Sequence, residues 1–312
     1  MQQRICLYVL SAAIGASTAP AQALDLALPG VNTGATSFED GGGGVGHMFQ
    51  TSNSRFDANR NYDAKGEKRP MRYDRALWIV RLHYAYTSSR QAFGGHLGGE
   101  LIVPLLDLEL DLGPAHVSGS GLGNPSLGGY VQWRGKRLFG KRLDARLALA
   151  ASLPLGDYDR NAKLNPGTDY YSINPYYAFT WHHSDAWEIS GRLMYLWNGS
   201  SDDPETRLHA AFGQPVHRIQ PGQALHYNLS ASHALNARWR LGLAMYHLQQ
   251  TSADRINGHA QAASKERLFG IGPGVQWRAG AHRFIGNVYA EGAAKNRAAG
   301  SQLVARYLYV WR

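Results

Sequence analysis

A single cysteine among 312 residues, at position 6, excludes a disulfide-stapled scaffold and leaves the rest of the chain with no thiol nucleophile or redox pair. Charge is scarce too, at 18%, while 44% of the residues are hydrophobic and 11% aromatic, a balance that excludes a disordered chain. Long apolar runs are missing after the first 25 residues and the mean hydropathy is −0.35, so the chain is not a polytopic helical membrane protein. Acids are fewer than bases, 23 against 32, and the formal net charge is +9. No nucleic-acid motif accompanies that charge, so no nucleic-acid partner is expected. Repeats of solenoid type and any composition break that would mark a second domain are also lacking. What is present in quantity is glycine, tyrosine and tryptophan, at 36, 17 and 8 residues.

The N-terminus reads as a targeting segment. Arg4 supplies a positive start, 6–16 an apolar stretch and Ala21-Gln22-Ala23 a small-residue cleavage site. Residues 1–23 are therefore expected to be a signal peptide, and the chain to be exported. An anchor helix is disfavoured because the apolar stretch is short and ends at Pro20. Residues 24–44, closing on the run Gly41–Gly44, read as a flexible lead segment that either moves freely or enters the lumen of a barrel formed by the remaining chain.

From residue 45 on the dominant signal is period two. Trp187, Ile189, Gly191, Leu193, Tyr195 and Trp197 alternate with Glu188, Ser190 and Arg192. The same alternation sets Trp78, Val80, Leu82, Tyr84 and Tyr86 against Arg81 and His83, and Leu143 through Leu153 against Asp144 and Arg146. It recurs at 173–181, 239–245 and 303–311. Alternation also describes a soluble sandwich, but two features discriminate. Aromatic residues stand at strand ends, where membrane interfaces place them: Trp78, Trp181, Trp187, Trp197, Trp239, Tyr309 and Trp311 form the expected girdle. Connections also alternate in length. Strands are predicted at 45–55, 76–87, 93–106, 121–134, 142–155, 171–182, 186–198, 221–233, 237–250, 264–278, 282–293 and 301–312. Short turns fall at 88–92, 135–141, 183–185, 234–236 and 279–281; longer loops fall at 56–75, 109–120, 156–170, 199–220 and 251–263. The fold class predicted is all-β, a transmembrane antiparallel up-and-down β-barrel of about twelve strands over residues 45–312, with short periplasmic turns and long extracellular loops.

The inward register then carries Arg81, His83, Glu100, Arg146, Glu188, Arg192, Arg240, Glu291 and Arg306, with Asp144 among the acids. These are the candidate lumen-lining residues. Arginine keeps its charge, binds carboxylates and stacks on aromatic rings, so the lumen is expected to favour anionic or neutral aromatics over cations. A self-neutralising lining is the competing expectation.

Several segments, in order along the chain, resemble the outer-membrane proteins associated with the meta-cleavage pathway of phenol degradation. They are FGGHLGGELIVPL at 93–105, GLGNPSLGGYVQW at 121–133, LPLGDYDRNAKLNPGTDYY at 153–171, LQQTSAD at 248–254, GIGPGVQW at 270–277 and EGAAKNRAAG at 291–300. The likeness runs from about Ala76 to the C-terminus. Asn124 stands where such proteins often have Asp, Asp169 where Asn is frequent, and 202–216 follows no recognised pattern. The resemblance implies an outer-membrane channel for aromatic or other small hydrophobic solutes, with no catalytic residues carried over.

Other motifs are weaker. The glycine runs at 94–99 and 270–274 lack the strand-to-helix context of phosphate-binding loops. Pro104, Pro175 and Pro273 fall inside predicted strands and call for bulges or strand ends. His182-His183-Ser184 resembles the His-x-Ser pair of outer-membrane lipid deacylases, but lies on a periplasmic turn away from outer-leaflet lipid. Asp157 and Asp159 read as turn-forming residues rather than calcium ligands. No metal site and no cofactor are expected, and the protein is not expected to be an enzyme. The leading expectation is a passive channel in the bacterial outer membrane, its partners lipid and small aromatic solutes. The alternatives are a lipid-modifying outer-membrane hydrolase and a closed structural barrel.

Overall fold

The computed structural model describes residues 31–70 and 72–312; the signal-peptide reading and the start of the lead segment lie outside the described residues. Strands β1 (Gly46–Asn61), β2 (Tyr73–Ala92), β3 (Gly95–Leu112), β4 (Ala115–Leu122), β5 (Ser126–Leu138), β6 (Lys141–Ser152), β7 (Ser172–His182) and β8 (Trp187–Asn198) make the first part. Helix α1 (Arg207–Phe212) and strand β9 (Ile219–Gln220) come next, then β10 (Ala224–Ala234), β11 (Trp239–Gln250), β12 (Arg255–Ile256), β13 (His259–Ala260), β14 (Arg267–Ala279), β15 (His282–Lys295) and β16 (Ala298–Trp311).

Twelve of these close into one antiparallel barrel. Neighbours run β2-β1-β16-β15-β14-β11-β10-β8-β7-β6-β5-β3, and β3 pairs back on β2. The seam joins β1 to β16 from His47↔Trp311 to Asn61↔Ala298. Alternation decides which face is which. Leu147, Leu193, Leu243, Val288 and Leu303 stay about half exposed on the outside, whereas Glu100, Gln132, Glu188, Asn228 and Gln302 are buried inside. A polar interior and an apolar exterior define a barrel whose solvent outside is lipid.

Strands β1–β3, β15 and β16 are longer than the period-two signal predicts, while β6, β10, β11 and β14 are slightly shorter. The turn expected at 88–92 is still strand, with a register shift between Thr87 and Gln91, and the chain reverses at Phe93 and Gly94, both at positive φ. Likewise β5 runs on past a shift between Trp133 and Lys136, and reverses at Phe139 and Gly140. Two-residue turns with φ > 0 match the twist of the strands they join, which is why pairing continues up to them. At the other end, the loop expected at 109–120 is a hairpin. The upper half of β3 pairs with β4, from Leu105↔Leu122 to Leu112↔Ala115, so β4 is a thirteenth strand that continues into β5 through a kink at 123–125.

Prolines mark local gaps in the ladder instead of bulges. Pro104 sits where β3 exchanges its β5 partners, ending at Ile102↔Ser126, for its β4 partners. Around Pro175 and Pro273 one ladder lapses and resumes without a shift, from Ile173↔Trp197 to Tyr176↔Met194 and from Ile271↔Ala290 to Gly274↔Asn287. Each proline lacks one N–H, and the partner strand is uninterrupted on its other side.

Two of the glycine runs make room for rings. A Cβ on Gly98 would lie 2.2 Å from Cε2 of Tyr130, and one on Gly270 would lie 2.3 Å from Cζ of the buried Tyr246. Gly270→Ala is therefore expected to destabilise the barrel by about 1–3 kcal/mol through overpacking. Gly292→Ala, where nothing lies within 4 Å, serves as the neutral control. Urea midpoints in lipid vesicles measure both, and equal midpoints would refute the overpacking.

Above the barrel the long loops pack on one another. Strands β9, β12 and β13 form a small sheet, and Leu208, Val216, Ile219 and Ile256 bury a satellite core beneath α1. The unpatterned stretch 202–216 is thus ordered by a core it shares with the 251–263 loop, ending its helix at Gly213 with φ 63°. Asn124, in the β4–β5 kink, donates to Thr168 O, Thr168 Oγ1 and Tyr170 O while accepting from Thr168 N–H. A carboxylate at 124 could not donate any of these bonds. Asp169 accepts from Ser201 Oγ at 2.7 Å, tying two loops together. Tyr158 donates to Asp203 O at 2.6 Å, and burial together with the nearby Glu205, Asp169 and Asp203 carboxylates pushes its hydroxyl well above the usual phenol range.

Candidate functional site

Residues 31–44 lie inside the barrel and divide its lumen. Phe38 is 1% exposed, packed with Ile285 and Leu308. The backbone around it is satisfied by the wall. Gly34 N–H donates to Asn228 Oδ1 at 3.1 Å, Tyr289 OH donates to Gly34 O at 3.1 Å, and Gln302 donates to Thr33 O at 3.1 Å. Further down, Gly41 N–H donates to Thr180 Oγ1 at 2.9 Å, and its carbonyl accepts from Gln132 at 2.8 Å. Gly41 is required there, because a Cβ would fall 2.3 Å from the backbone N of Thr180.

Two acids on this segment tie it to the wall. Asp40 takes a two-point contact from Arg192, at 2.8 and 2.9 Å. Glu39 accepts from Gln276 at 2.8 Å, faces Arg283 at 3.3 Å and pairs with Arg278. Sequence reading missed both acids as partners of the lumen arginines, since neither lies in a strand whose register could assign it a face.

The predicted inward residues form three groups. Glu100 accepts from Tyr176 OH at 2.7 Å, with His83 Nε2 at 3.1 Å and Arg146 at 3.5 Å. Arg146 lies over the Tyr130 ring at 3.9 Å and Arg192 over the Tyr176 ring at 4.3 Å, so the cations also stack. Glu188 accepts from Ser232 at 2.7 Å and from the Glu39 N–H at 3.0 Å, with Arg240 at 3.7 Å. Glu291 accepts from Tyr246 OH at 2.5 Å and from Gly300 N–H at 3.0 Å. Arg81 and Arg306, on β2 and β16, donate to hydroxyls rather than to the carboxylates of these groups, and Arg306 lies within electrostatic reach of Asp40 and Arg192. Asp144 is drawn to Arg142 at 2.6 Å and to the Gly135 N–H at 2.8 Å.

The aromatic residues lie at two levels of the outer face. Trp181, Trp187, Trp239, Tyr309 and Trp311 stand at the short-turn end, where Tyr309 stacks on Trp311 at 5.3 Å. Trp197 stands at the other end of β8, beside Tyr171 at 5.6 Å, and Trp78 lies toward the long-loop end of β2, half exposed.

Two of the spaces bordered by the inserted segment lie above and below it. The upper one, about 270 Å³, is bounded by residues 31–42 and by β1–β3, and its wall changes character with depth. Tyr73, Ile79, Leu106, Leu108 and Leu164 line its mouth, with Arg75, Glu109, Glu205 and Arg207 among them; Arg81, His83, Glu100, Arg146, Arg192 and Arg306 line its floor. The lower one, about 1030 Å³ at the short-turn end, is lined by Arg134, Arg142, Arg278, Arg283 and Arg312 with His96, His182 and His282. Glu39, Gly42, Met48, Arg146, Arg283 and Leu308 border both, and mark the constriction.

The other motifs resolve locally. His182 turns to Asp144 at 3.4 Å, and Ser184 Oγ accepts from the Trp187 N–H at 3.0 Å. Asp159 accepts from the Asn161 N–H at 2.8 Å, as turn-forming aspartates do, whereas Asp157 does not bond its own turn there but accepts from the Leu122 N–H at the end of β4 at 2.7 Å. Among the described residues no His, Asp and Glu group could hold a metal ion.

A closed twelve-stranded barrel with an apolar belt, a polar interior and an inserted N-terminal segment has the architecture of outer-membrane barrels. An outer-membrane channel from Pseudomonas putida F1 is similar over 90% of this chain and 100% of its own, with a TM-score of 0.73 at 15% identity. The chain belongs to the family described as "Putative MetA-pathway of phenol degradation", whose model matches residues 58–307. Looser likenesses are to the β-domain of the Bordetella autotransporter BrkA and to the transport unit of the Escherichia coli autotransporter AIDA-I. The former has a TM-score of 0.47 at 14% identity and covers 86% of this chain and 100% of its own. The latter has a TM-score of 0.49 at 10% identity and covers 86% and 90%. No curated protein matches the sequence.

Proposed function

We propose that this protein is a passive outer-membrane channel for small hydrophobic or aromatic solutes, with the aromatic residues at its two ends seated at the lipid interfaces. The observation that carries the reading is the wall of the upper space: an apolar cluster of Ile79, Leu106, Leu108 and Leu164 set among charged residues at the mouth, then arginines stacked on tyrosines, then a basic vestibule. An aromatic solute leaving water gains burial at the mouth and meets cation–π partners on the floor. The family's association with phenol degradation and the fold shared with an outer-membrane channel support the same reading. Most lumen acids are matched by a base, which leaves a modest cationic surplus and a preference for anionic or neutral solutes over cations.

A barrel closed by its own inserted segment is the second reading, favoured by the Glu39 and Asp40 ion pairs. Uptake by proteoliposomes separates the two. Neutral and anionic aromatics are expected to enter faster than into protein-free liposomes, and faster than a sugar of similar size. Rates equal to protein-free liposomes for every solute would favour the closed barrel.

A further inference from the structure

Most arginines on the wall of the upper space meet a carboxylate. Arg146 lies 3.5 Å from Glu100, Arg192 2.8 Å from Asp40 and Arg283 3.3 Å from Glu39, and Arg207 pairs with Glu205. Arg81 and Arg306 line the same space, and among the described residues their side chains bond only to hydroxyls. Arg81 donates to Ser54 Oγ at 3.2 Å and Arg306 to Ser37 Oγ at 2.5 Å. The two arginines are linked by register: Ser52 on β1 pairs with Arg81 on one side and with Arg306 on the other. Ser52 is 1% exposed and Arg306 5%, and among the described residues both Ser52 Oγ and Arg306 Nε are buried without a hydrogen-bond partner.

Three adjacent strands thus present arginine, serine and arginine in one row. Strands stand about 4.8 Å apart, so the two arginine backbones are separated by roughly 10 Å, a gap that two long side chains can close on one anion. Arg306 feels the Asp40 carboxylate, which Arg192 already holds in a two-point contact, so two cations in a poorly solvated wall remain under-compensated, and an anion between them offsets that cost. The surroundings select the rest of the anion. Ile79 lies two residues from Arg81 on the same face and pairs with Leu106, and Leu108 packs in the same cluster.

We propose that Arg81, Ser52 and Arg306 form a subsite for the carboxylate of an aromatic acid whose ring lies against Ile79 and Leu106. The inference rests on the channel reading for its purpose, but not for its measurement. The test is titration of benzoate into the full-length barrel in detergent micelles by calorimetry, beside benzoate and benzyl alcohol flux in liposomes. Saturable benzoate binding is expected, weakened about tenfold or more in Arg81→Gln/Arg306→Gln, a charge-assisted bidentate contact being lost. Arg81→Lys/Arg306→Lys should retain part of it, and benzyl alcohol, which has no carboxylate, should not displace benzoate from the unaltered protein at equal concentration. If the double glutamine variant does not give a heat-modifiable barrel, Arg81→Gln alone carries the test with the same expected direction. Benzoate binding that is absent, unaffected by the glutamine variants, or displaced as well by equimolar inorganic phosphate overturns the subsite. No benzyl alcohol flux through the unaltered protein, with benzoate still bound, overturns the channel reading and leaves the subsite standing.

Discussion

Deleting residues 24–44 is expected to leave a folded, heat-modifiable barrel with a single-channel conductance well above that of the intact protein. The wall does not depend on the segment, because every barrel strand finds both neighbours in other strands. The lumen does depend on it, since Phe38, Glu39 and Asp40 border the space that would otherwise join the two chambers. Planar-bilayer recordings measure the change, and an unchanged conductance would show that the constriction lies elsewhere. Arg192→Leu probes the same point with one side chain. It removes the two-point partner of Asp40, and breaking a buried pair costs about 3–5 kcal/mol when the partner must stay. Here the partner need not stay, so the cost is expected to appear as release of the segment and a raised conductance. Asp40→Asn in the Arg192→Leu background should then change conductance little further.

The largest loss of stability is expected from Leu193→Arg. Trp187 and Trp197 stand at the two ends of the outer face of β8, and ten residues at about 3.3 Å each, tilted by roughly 40°, span about 25 Å of height, which matches the apolar band of such barrels. Leu193, 49% exposed, lies near its middle. An arginine there should cost about 2–4 kcal/mol, whereas the same residue type at 192 already sits inside on Asp40. Unfolding in lipid vesicles measures the cost, and a change below about 0.5 kcal/mol, the usual ceiling for neutral surface substitutions, would mean the face is not in hydrocarbon.

Strand identity and facing were legible because period two is a local property. Glu188, Arg192 and Leu193 are assigned to their faces by their neighbours in sequence alone, and the structure places them so. Strand length was not, since β1 to β4 extend by pairing with each other where composition is polar and glycine-rich, as at Asp107↔Ser120. The inserted segment was legible only as an unpatterned lead that would either move freely or enter the lumen. Its order comes from side chains of remote strands, such as Asn228, Asn287 and Gln302, and no local pattern in 31–44 encodes a partner some 250 residues away. For the same reason the row of Arg81, Ser52 and Arg306 was invisible: each residue reads as an inward polar position, and only the seam between β1 and β16 brings two of them side by side.

That seam also sets an order of assembly. The inserted segment precedes β1 and takes bonds from Gln302 and Arg306 on β16, contacts that span 269 residues of chain. Closing a loop of that length comes late, after hairpins such as β14–β15 and β15–β16, which need only their own short turns. A partly made barrel therefore has its lumen open to the side and its N-terminal segment undocked. Strand closure and occupation of the lumen become a single terminal event, so protection of 31–44 from protease reports that the wall is complete.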